Sequence, residues 1–296
     1  MSVAAKGAQR LGSQTVADFG DQWTRFTDNP GYYGSVTLLE DLVGPLAAVR
    51  EFSGATVVDI GSGTGRIVRM LREAGAQHII AVEPSPAMEV ARRNTQDIAE
   101  HVSYQKATGD TFCVSNPVDW VVSIGVLHHI PDPRPVVRRA FEALRPDGRI
   151  LVWLYGREGN GLYLTVALPL RAVGRRLPHR GLVALCRLLD VPLSLYLAVC
   201  RRWPLPLAAY VREHLGRLTP EVRRLTIYDQ LNPAWARYYR KGEAEALLSD
   251  AGFVDVQSHH RHGYSWTVIG RKPGCERAAD GPDDGRLRGD SDIDEP

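Results

Sequence analysis

A glycine-rich turn is the strongest chemical signal in this 296-residue sequence. The run from Val57 to Arg66 reads VVDIGSGTGR, so a short apolar stretch leads directly into three glycines at alternate positions. Glycines at such a turn let backbone amides approach a nucleotide-like ligand closely. Asp59, just ahead of the glycines, would repel a pyrophosphate and would favour a ligand that carries a positive charge, such as an amino-acid ammonium group.

Two further residues separate this turn from a dinucleotide-binding turn. The dinucleotide fingerprint places Gly or Ala at its sixth position, where helix and strand pack together, and Arg66 occupies that position here. Glu83 lies 18 residues after Gly65, at the end of the next apolar run. An acidic residue there can accept hydrogen bonds from both hydroxyls of a ribose. Taken alone, Glu83 could equally be a carboxylate on the surface at a strand end.

The elements that position these residues alternate between strand and helix. Short apolar runs predict strands at 55–60, 79–83, 102–106, 119–125 and 149–155, with helical segments between them. Beyond residue 233 the pattern predicts a helix at 242–251 and closing strands at 253–256 and 265–270. This order favours an α/β fold with a Rossmann-like, seven-stranded, mainly parallel sheet, helices on both faces, and a helical insert after the fifth strand.

Five segments follow from this reading. They are an N-terminal helical lid segment (1–50), a ligand-binding Rossmann-like core (51–156), a helical, arginine-rich cap insert (157–233), a C-terminal completion of the sheet (234–272), and an acidic tail (273–296). The tail has almost no apolar residues, which is typical of a disordered segment.

Four sequence runs together resemble the class I S-adenosylmethionine (SAM)-dependent methyltransferase superfamily. They are VDIGSGTGR, AVEPSPAM, the pair Gly109-Asp110, and SIGVLHHI after the fourth strand. The resemblance extends over roughly residues 50–156 and again over 242–272. It implies that SAM is the cofactor.

The resemblance also assigns roles within the cofactor site. Asp59, Gly61 and Gly63 would hold the methionine moiety, within a turn that also contains Ser62 and Gly65. Glu83 would hold the ribose. The remaining cofactor contacts would be Pro84, Ser85 and Met88 beside the adenine, Asp110 and Thr111 near its edge, and Ser123 and Gly125 on the sulfonium side.

Candidates for the acceptor side come from the same resemblance and from residue chemistry. His128 and His129 follow the fourth strand, where the superfamily places residues that face the substrate. A histidine there could take a proton from a hydroxyl or an amine, although a loop histidine with satisfied hydrogen bonds is the alternative. The candidate catalytic residues are His128, His129 and Tyr155; the candidate substrate contacts are Trp23, Arg157, Tyr228, Tyr238 and Tyr239.

The predicted function is therefore transfer of a methyl group from SAM to an oxygen or nitrogen atom of a small molecule. The segments at 19–26 and 155–160 are similar to those of bacterial methyltransferases that act on small metabolites or saccharides. Two alternatives stay open. One is a SAM-using enzyme that transfers the aminobutyryl group or cyclises SAM, and the other is a non-catalytic SAM-binding module.

Charge is uneven along the chain. The formal net charge is +2, but residues 157–241 contain 15 Arg or Lys against 5 Asp or Glu. We expect these arginines either to line the site for an anionic acceptor or to solubilise an outer helical face. Nucleic acid is not an expected partner, because the basic residues are interleaved with apolar ones.

Cysteine spacing and hydropathy bear on the cellular compartment in which the protein is expected. The four cysteines are scattered without a CxxC pair, which predicts neither a zinc site nor a disulfide framework, and we expect no bound metal. The apolar stretch 188–200 has 13 residues, too few to span a bilayer, and predicts a buried helix. We expect a cytoplasmic protein without a transmembrane segment. Contact of the basic insert with a membrane surface stays open, as does the oligomeric state.

Overall fold

A seven-stranded sheet forms the centre of the protein in a computed structural model that describes residues 3–274. The strands are β1 (Thr56–Ile60), β2 (His78–Val82), β3 (Val102–Gln105), β4 (Val118–Ile124), β5 (Leu144–Tyr155), β6 (Val254–Arg261) and β7 (Ser265–Arg271). Their order is β3-β2-β1-β4-β5-β7-β6. All pairings are parallel except those of β7, which runs antiparallel to both β5 and β6. The predicted mainly parallel sheet of seven strands is confirmed.

The strand order reverses direction between β1 and β4. β1 pairs with β2 on one side and with β4 on the other, so Asp59 lies opposite Ala81 and Val122. The loops that leave β1 and β4 at their carboxyl ends therefore diverge and leave a crevice. Open α/β sheets bind ligands at such a switch point.

Helices surround the sheet and form the insert. Within residues 3–274 they are α1 (Val3–Arg25), α2 (Val36–Val43), α3 (Arg66–Glu73), α4 (Ala87–Asn94), α5 (Arg134–Ala143), α6 (Gly161–Gly174), α7 (His179–Cys200), α8 (Ala208–Glu213), α9 (Pro220–Leu231) and α10 (Lys241–Ser249). α2 and α3 pack into the core on one face of the sheet, and α5 and α10 pack into the core on the other. Helices on both faces were predicted.

Some boundaries differ from the sequence prediction. The N-terminal segment contains a helix of 23 residues, which the aromatic residues there had not indicated as one element. The helical segment predicted between the second and third strands consists of α4, which ends at Asn94, and a 3₁₀ segment, Gln96–His101, that continues to β3. All but two residues of the predicted acidic tail lie outside the described residues.

The insert has small apolar cores of its own. α6 and α7 both pack against α9. One cluster joins Leu197 of α7 to Val211 of α8 and Val222 of α9, and another joins Leu182 of α7 to Leu231 of α9. The insert is therefore a packed helical unit that follows β5 directly.

The most apolar stretch of the chain is not buried as predicted. It forms the second half of α7, which has 22 residues and is long and apolar enough to cross a membrane by length and composition. Core helices of soluble proteins also pass that test, but only 22% of its most apolar window is buried. Leu188, Val191 and Leu195 are each 68% exposed. The prediction of a buried helix was wrong for this face, because α8 and α9 cover only the opposite side.

Candidate functional site

A cavity of about 560 Å³ lies at the carboxyl ends of the central strands. The residues just after β1, β2, β3 and β4 form most of one part of its wall, which we call the cofactor half. The other part, which we call the acceptor half, is formed mainly by α1, Tyr33, His129, the end of β5, the insert and the β6–β7 turn. One cavity thus joins the sheet edge to the insert.

The glycine turn depends on backbone angles that favour glycine. Gly61, Gly63 and Gly65 have φ values of +79°, +53° and +81°. A Cβ atom on Gly61 would lie 2.3 Å from a methyl carbon of Val126, in the loop after β4. Glycine is therefore required at position 61 both for its angle and for close approach of the two loops.

Glu83 joins the turn to the loop after β2. One carboxylate oxygen, Oε2, accepts a hydrogen bond from the Gly63 amide at 3.0 Å, and Oε1 accepts one from the Ser85 amide at 2.9 Å. The side chain is buried and lines the cavity. Glu83 therefore positions the turn as well as presenting a carboxylate to the cavity.

Several buried polar atoms behind the turn have no partner within residues 3–274. They are Asp59 Oδ2, Ser62 Oγ and Ser123 Oγ. Burial raises the pKa of Asp59 to about 7; Arg66 opposes the shift and Glu83 adds to it. Buried polar atoms are normally satisfied, so such a group indicates a missing partner. A ligand with an ammonium group and hydroxyls, as SAM has, fits these atoms.

The cofactor residues predicted from the sequence separate into two sets. Those that line the cavity are Gly61, Ser62, Gly63, Glu83, Pro84, Asp110 and Gly125. Those outside the lining are Asp59, Gly65, Ser85, Met88, Thr111 and Ser123. In this second set Asp59, Ser85, Met88 and Ser123 are buried directly behind the wall, whereas Thr111 is exposed and hydrogen-bonds to Thr108 at 2.8 Å.

Aromatic rings dominate the acceptor half. They are Phe19, Trp23, Tyr33, Trp153, Tyr155, Tyr210 and Tyr264. The Phe19 ring meets the His129 ring edge-on, with centroids 4.7 Å apart. Flat apolar walls of this kind suit a ring-containing ligand.

His129 is held in one tautomer. Its Nδ1 atom lies 2.9 Å from the carbonyl oxygen of Trp235, which can only accept a hydrogen bond. Nδ1 therefore carries the proton, and Nε2 keeps a free lone pair. Burial lowers the pKa of His129 to about 3, so the ring is neutral at physiological pH.

His128 does not reach the cavity. It is completely buried, and both ring nitrogens lack hydrogen-bond partners within the described part of the chain. Its ring packs on the Tyr155 ring with centroids 3.8 Å apart, and burial lowers its pKa well below the usual value. The structure places His128 behind Tyr155, away from the position expected of a substrate-facing base.

Asp229 on α9 is an acidic residue of the cavity that sequence reasoning missed. Its Oδ1 atom accepts a hydrogen bond from the Gln22 amide group at 3.0 Å, and Oδ2 accepts one from the Tyr155 hydroxyl at 3.2 Å. Burial raises the pKa of Asp229, and the two hydrogen bonds oppose the shift. No motif marks Asp229, because it lies in a helix of the insert and reaches the cavity only through the packing of α9.

The predicted substrate contacts lie in different places. Trp23 lines the cavity, as does the catalytic candidate Tyr155. Tyr238 lies behind Tyr155, with ring centroids 5.4 Å apart, and its hydroxyl accepts a hydrogen bond from Arg171 at 2.9 Å. The others do not reach the cavity: Tyr228 bonds to His179 and lines a separate pocket of about 430 Å³, Tyr239 is in the sheet core, and Arg157 is exposed.

Polar contacts connect α1 to the insert across the cavity. Besides its bond to Asp229, Gln22 accepts a hydrogen bond from the Asn232 side chain at 3.1 Å. Asp18 accepts a hydrogen bond from the Ala234 amide at 2.9 Å. The side-chain amide of Asn232 also donates to the Asp18 carbonyl at 3.1 Å. α1 is thereby fixed over the cavity.

The cavity arginines do not come from the insert. They are Arg66, whose guanidinium lies 4.3 Å from the centre of the Tyr33 ring, and Arg261, which is paired with Asp41. The expectation that insert arginines line the site is wrong for this cavity. Insert helices turn Tyr210, Asp229 and Gln230 towards it, while most of their arginines are exposed.

Known proteins resemble this chain in sequence and in fold. A family model described as a methyltransferase domain matches residues 58–152. The ubiquinone biosynthesis O-methyltransferase of Xanthomonas euvesicatoria is 28% identical over 119 residues, which cover 39% of this chain and 49% of that protein. The protein of the same name from Serratia proteamaculans is 30% identical over 165 residues, which cover 54% of this chain and 68% of that protein.

A solved structure extends the likeness in fold to nearly the whole chain. The 1,6-didemethyltoxoflavin-N1-methyltransferase of Burkholderia thailandensis aligns with a TM-score of 0.51 at 18% identity, and the alignment covers 92% of both chains. By sequence, this chain spans about half the length of the first curated relatives that it matches. The glycine turn, the strand order and the match to the Serratia protein agree, and the chain belongs to the class I SAM-dependent methyltransferase superfamily.

Proposed function

We propose that this protein transfers the methyl group of SAM to a hydroxyl oxygen of a small, ring-containing acceptor. The observation that carries the proposal is that one cavity joins the glycine turn to an aromatic wall. Asp229 and His129 line the same cavity beside the aromatic rings. A cofactor and an acceptor bound in the two halves would meet in the same cavity. The curated relatives named O-methyltransferases support oxygen as the acceptor atom.

The chemistry of Asp229 favours a hydroxyl over an amine. SAM supplies a methyl group that is already activated by its sulfonium, so the protein mainly has to hold the acceptor in line. A hydroxyl must also lose its proton, whereas a neutral amine can react without a base. Burial raises the pKa of Asp229, which makes it a stronger base than an exposed carboxylate.

His129 has a different role in this proposal. Burial lowers its pKa to about 3, so it is a weak base. Its free Nε2 lone pair can instead accept a hydrogen bond from the acceptor hydroxyl and orient it. Asp229 then removes the proton, and Tyr155 and Gln22 hold the Asp229 carboxylate in place.

On the cofactor side, the residues behind and along the wall would hold SAM. Asp59 would bind the ammonium group, the amides of the glycine turn would face the methionine moiety, and Glu83 would accept the ribose hydroxyls. α1, with Phe19 and Trp23, would exclude water from the acceptor.

The acceptor itself is proposed to be compact and mostly apolar. The cavity of about 560 Å³ has to contain the cofactor as well, which leaves room for little more than one or two rings. Arg261 is already paired with Asp41, so Arg66 is the main cation facing the cavity. A neutral or singly anionic phenol-like compound fits these walls better than a polyanion.

The proposal is tested by identifying the nucleoside product. The purified protein is incubated with SAM and a panel of phenols, catechols and their matched aromatic amines, and the products are separated by liquid chromatography. Formation of S-adenosylhomocysteine with the hydroxyl compounds, and not with the amines, is expected. Methylthioadenosine would indicate transfer of the aminobutyryl group or cyclisation instead. SAM binding by calorimetry without turnover of any compound would favour a binding module.

A further inference from the structure

The outer face of α7 is an apolar stripe in contact with solvent. Leu188, Val191 and Leu195 are each 68% exposed, and Val199 is 37% exposed. Their spacing of three and four residues puts them on one side of the helix. Trp203, just after the helix, is 63% exposed. Isolated exposed apolar residues are ordinary, but a contiguous stripe that ends in a tryptophan is typical of an interaction surface.

Arginines are frequent in the chain on both sides of this stripe, whereas acidic side chains are almost absent there. The exposed arginines between positions 158 and 213 are Arg175, Arg176, Arg180, Arg187, Arg201, Arg202 and Arg212. The acidic residue between positions 158 and 213 is Asp190, which is buried. Insert arginines form ion pairs in the described structure at Arg223 and Arg224, and none of the seven exposed ones does so.

The buried side of α7 prevents it from crossing a bilayer while the fold is intact. Asp190 is paired with Arg223 of α9, with Nε and Oδ1 2.5 Å apart. α7 also packs against α8 and α9 through Leu197 and Cys200. Crossing a membrane would place this ion pair and these helices in lipid, at a high cost in free energy. The stripe can therefore only lie on a surface.

We propose that α7 docks the protein onto an anionic lipid bilayer, with Leu188, Val191, Leu195 and Trp203 in the headgroup region and the flanking arginines on lipid phosphates. An amphipathic helix with an apolar face and a basic border binds a membrane in this way. Tryptophan favours the interface between lipid and water. The unpaired positive charge selects a lipid surface over a second copy of the chain, because two such faces would repel each other. Lipid docking does not depend on the proposed methyl transfer.

Co-sedimentation with sucrose-loaded vesicles tests the proposal. The probes are vesicles of phosphatidylcholine alone and of phosphatidylcholine with a large fraction of phosphatidylglycerol. The unmodified protein is expected to pellet with the anionic vesicles and to remain in solution with the neutral ones. The variant Leu188→Ser, Val191→Ser, Leu195→Ser should lose at least about tenfold in partitioning, because it removes the apolar anchor.

Two charge variants separate this surface from the overall charge of the protein. Arg187→Gln, Arg201→Gln, Arg202→Gln should also weaken binding at least about tenfold at low salt. The matched control Arg50→Gln, Arg93→Gln, Arg138→Gln removes three exposed arginines outside the insert and should bind as the unmodified protein does. Circular dichroism melting confirms that each variant is folded.

Three results would overturn the proposal. One is failure of the unmodified protein to pellet with anionic vesicles. Another is that the control variant at Arg50, Arg93 and Arg138 loses as much binding as the variant at Arg187, Arg201 and Arg202. That result would show that overall charge, without the α7 face, causes sedimentation. The third is a dimer by sedimentation velocity that the serine variant converts to a monomer without change in vesicle binding, since the face would then be an interface between copies. Vesicle binding that does not change when SAM and the acceptor are added would still support docking, even if the protein transferred no methyl group.

Discussion

The two halves of the cavity are built in different ways. In the cofactor half, the functional groups lie on consecutive turns after β1, β2 and β4, and backbone geometry dominates. Gly61 and Gly63 have positive φ angles, and backbone amides donate hydrogen bonds to Glu83. In the acceptor half, side chains dominate, and they come from α1, α8, α9 and the β6–β7 turn. Residues as distant as Gln22 and Asp229 form one hydrogen bond there.

This difference has a physical consequence. A site built from backbone atoms tolerates few substitutions. A Cβ at Gly61 has no space, and loss of the hydrogen bond from Gly63 to Glu83 leaves a buried amide unsatisfied. A side-chain site can be rebuilt by exchanging residues on helices whose packing stays the same. The cofactor half is therefore expected to determine whether any reaction occurs, and the acceptor half which molecule reacts.

The largest effect is expected from Asp229. Asp229→Asn keeps the size and the bond from Gln22 but removes the base, so we expect kcat to fall by about 10²–10⁴-fold with little change in SAM affinity. Steady-state kinetics and calorimetry measure the two quantities. Asp250→Asn, at an exposed position beyond α10, is the control. Unchanged kcat in Asp229→Asn, with a large loss in His129→Gln, would assign the proton transfer to His129.

A smaller effect in the cofactor half is expected from Glu83. Glu83→Ala should weaken SAM binding by about 1–3 kcal/mol and also lower the free energy of unfolding, because the amides of Gly63 and Ser85 lose their acceptor. Calorimetry and urea unfolding separate the two changes. Glu89→Ala, on the exposed side of α4, should alter neither. Normal SAM affinity in a destabilised Glu83→Ala protein would leave Glu83 with a structural role alone.

The pH dependence of SAM binding tests the proposed contact between Asp59 and the ammonium group of SAM. Its pKa is raised to about 7 by burial, so below pH 7 the free protein carries a proton there. A bound ammonium group favours the carboxylate, so SAM binding should release this proton, and affinity should rise by up to about tenfold per unit from pH 5.5 towards 7. Asp59→Asn should bind SAM weakly with no such slope. A slope that persists in Asp59→Asn would have to arise from another group.

Asp59 also has an effect on stability with a defined sign. Because the folded-state pKa lies above the unfolded value of about 3.9, the native protein binds the extra proton between these values. The stabilisation that this proton provides is complete at low pH and is lost as the pH rises through 7. Asp59→Asn should therefore be more stable than the unmodified protein at pH 8, as measured by urea unfolding, although it binds SAM less well.

The smallest effect is expected from Arg157. It is exposed and lies outside the cavity, so Arg157→Gln should change the KM of the acceptor and of SAM by less than about twofold. Tyr210→Ala, which removes a ring from the acceptor half, should raise the acceptor KM and leave SAM affinity intact. A salt-dependent rise in KM in Arg157→Gln would bring the insert arginines back into acceptor binding.

The sequence by itself determined the sheet and the location of the cofactor half. Apolar runs of strand length, alternating with helices, are local patterns, and glycines before a helix mark a turn whose positive φ angles are also a local requirement. Asp59 and Glu83 could therefore be singled out from their positions at strand ends. The role of His129 was open at that stage, since its tautomer depends on the carbonyl of Trp235, 106 residues further along the chain.

Only the tertiary structure decided which side chains face the acceptor and which face of α7 remains exposed. His128 and His129 are neighbours with the same chemistry, yet the turn after β4 buries one behind Tyr155 and directs the other into the cavity. Asp229 could be recognised as a cavity residue only from the structure, in which α9 contacts α1 through the bond from Gln22. Composition left open whether the insert arginines line the site or cover an outer helical face, and most of them are exposed outside the cavity. The physical reason is the same in each case: helical periodicity gives the relative directions of side chains on one helix, but packing against distant segments decides which direction is inside.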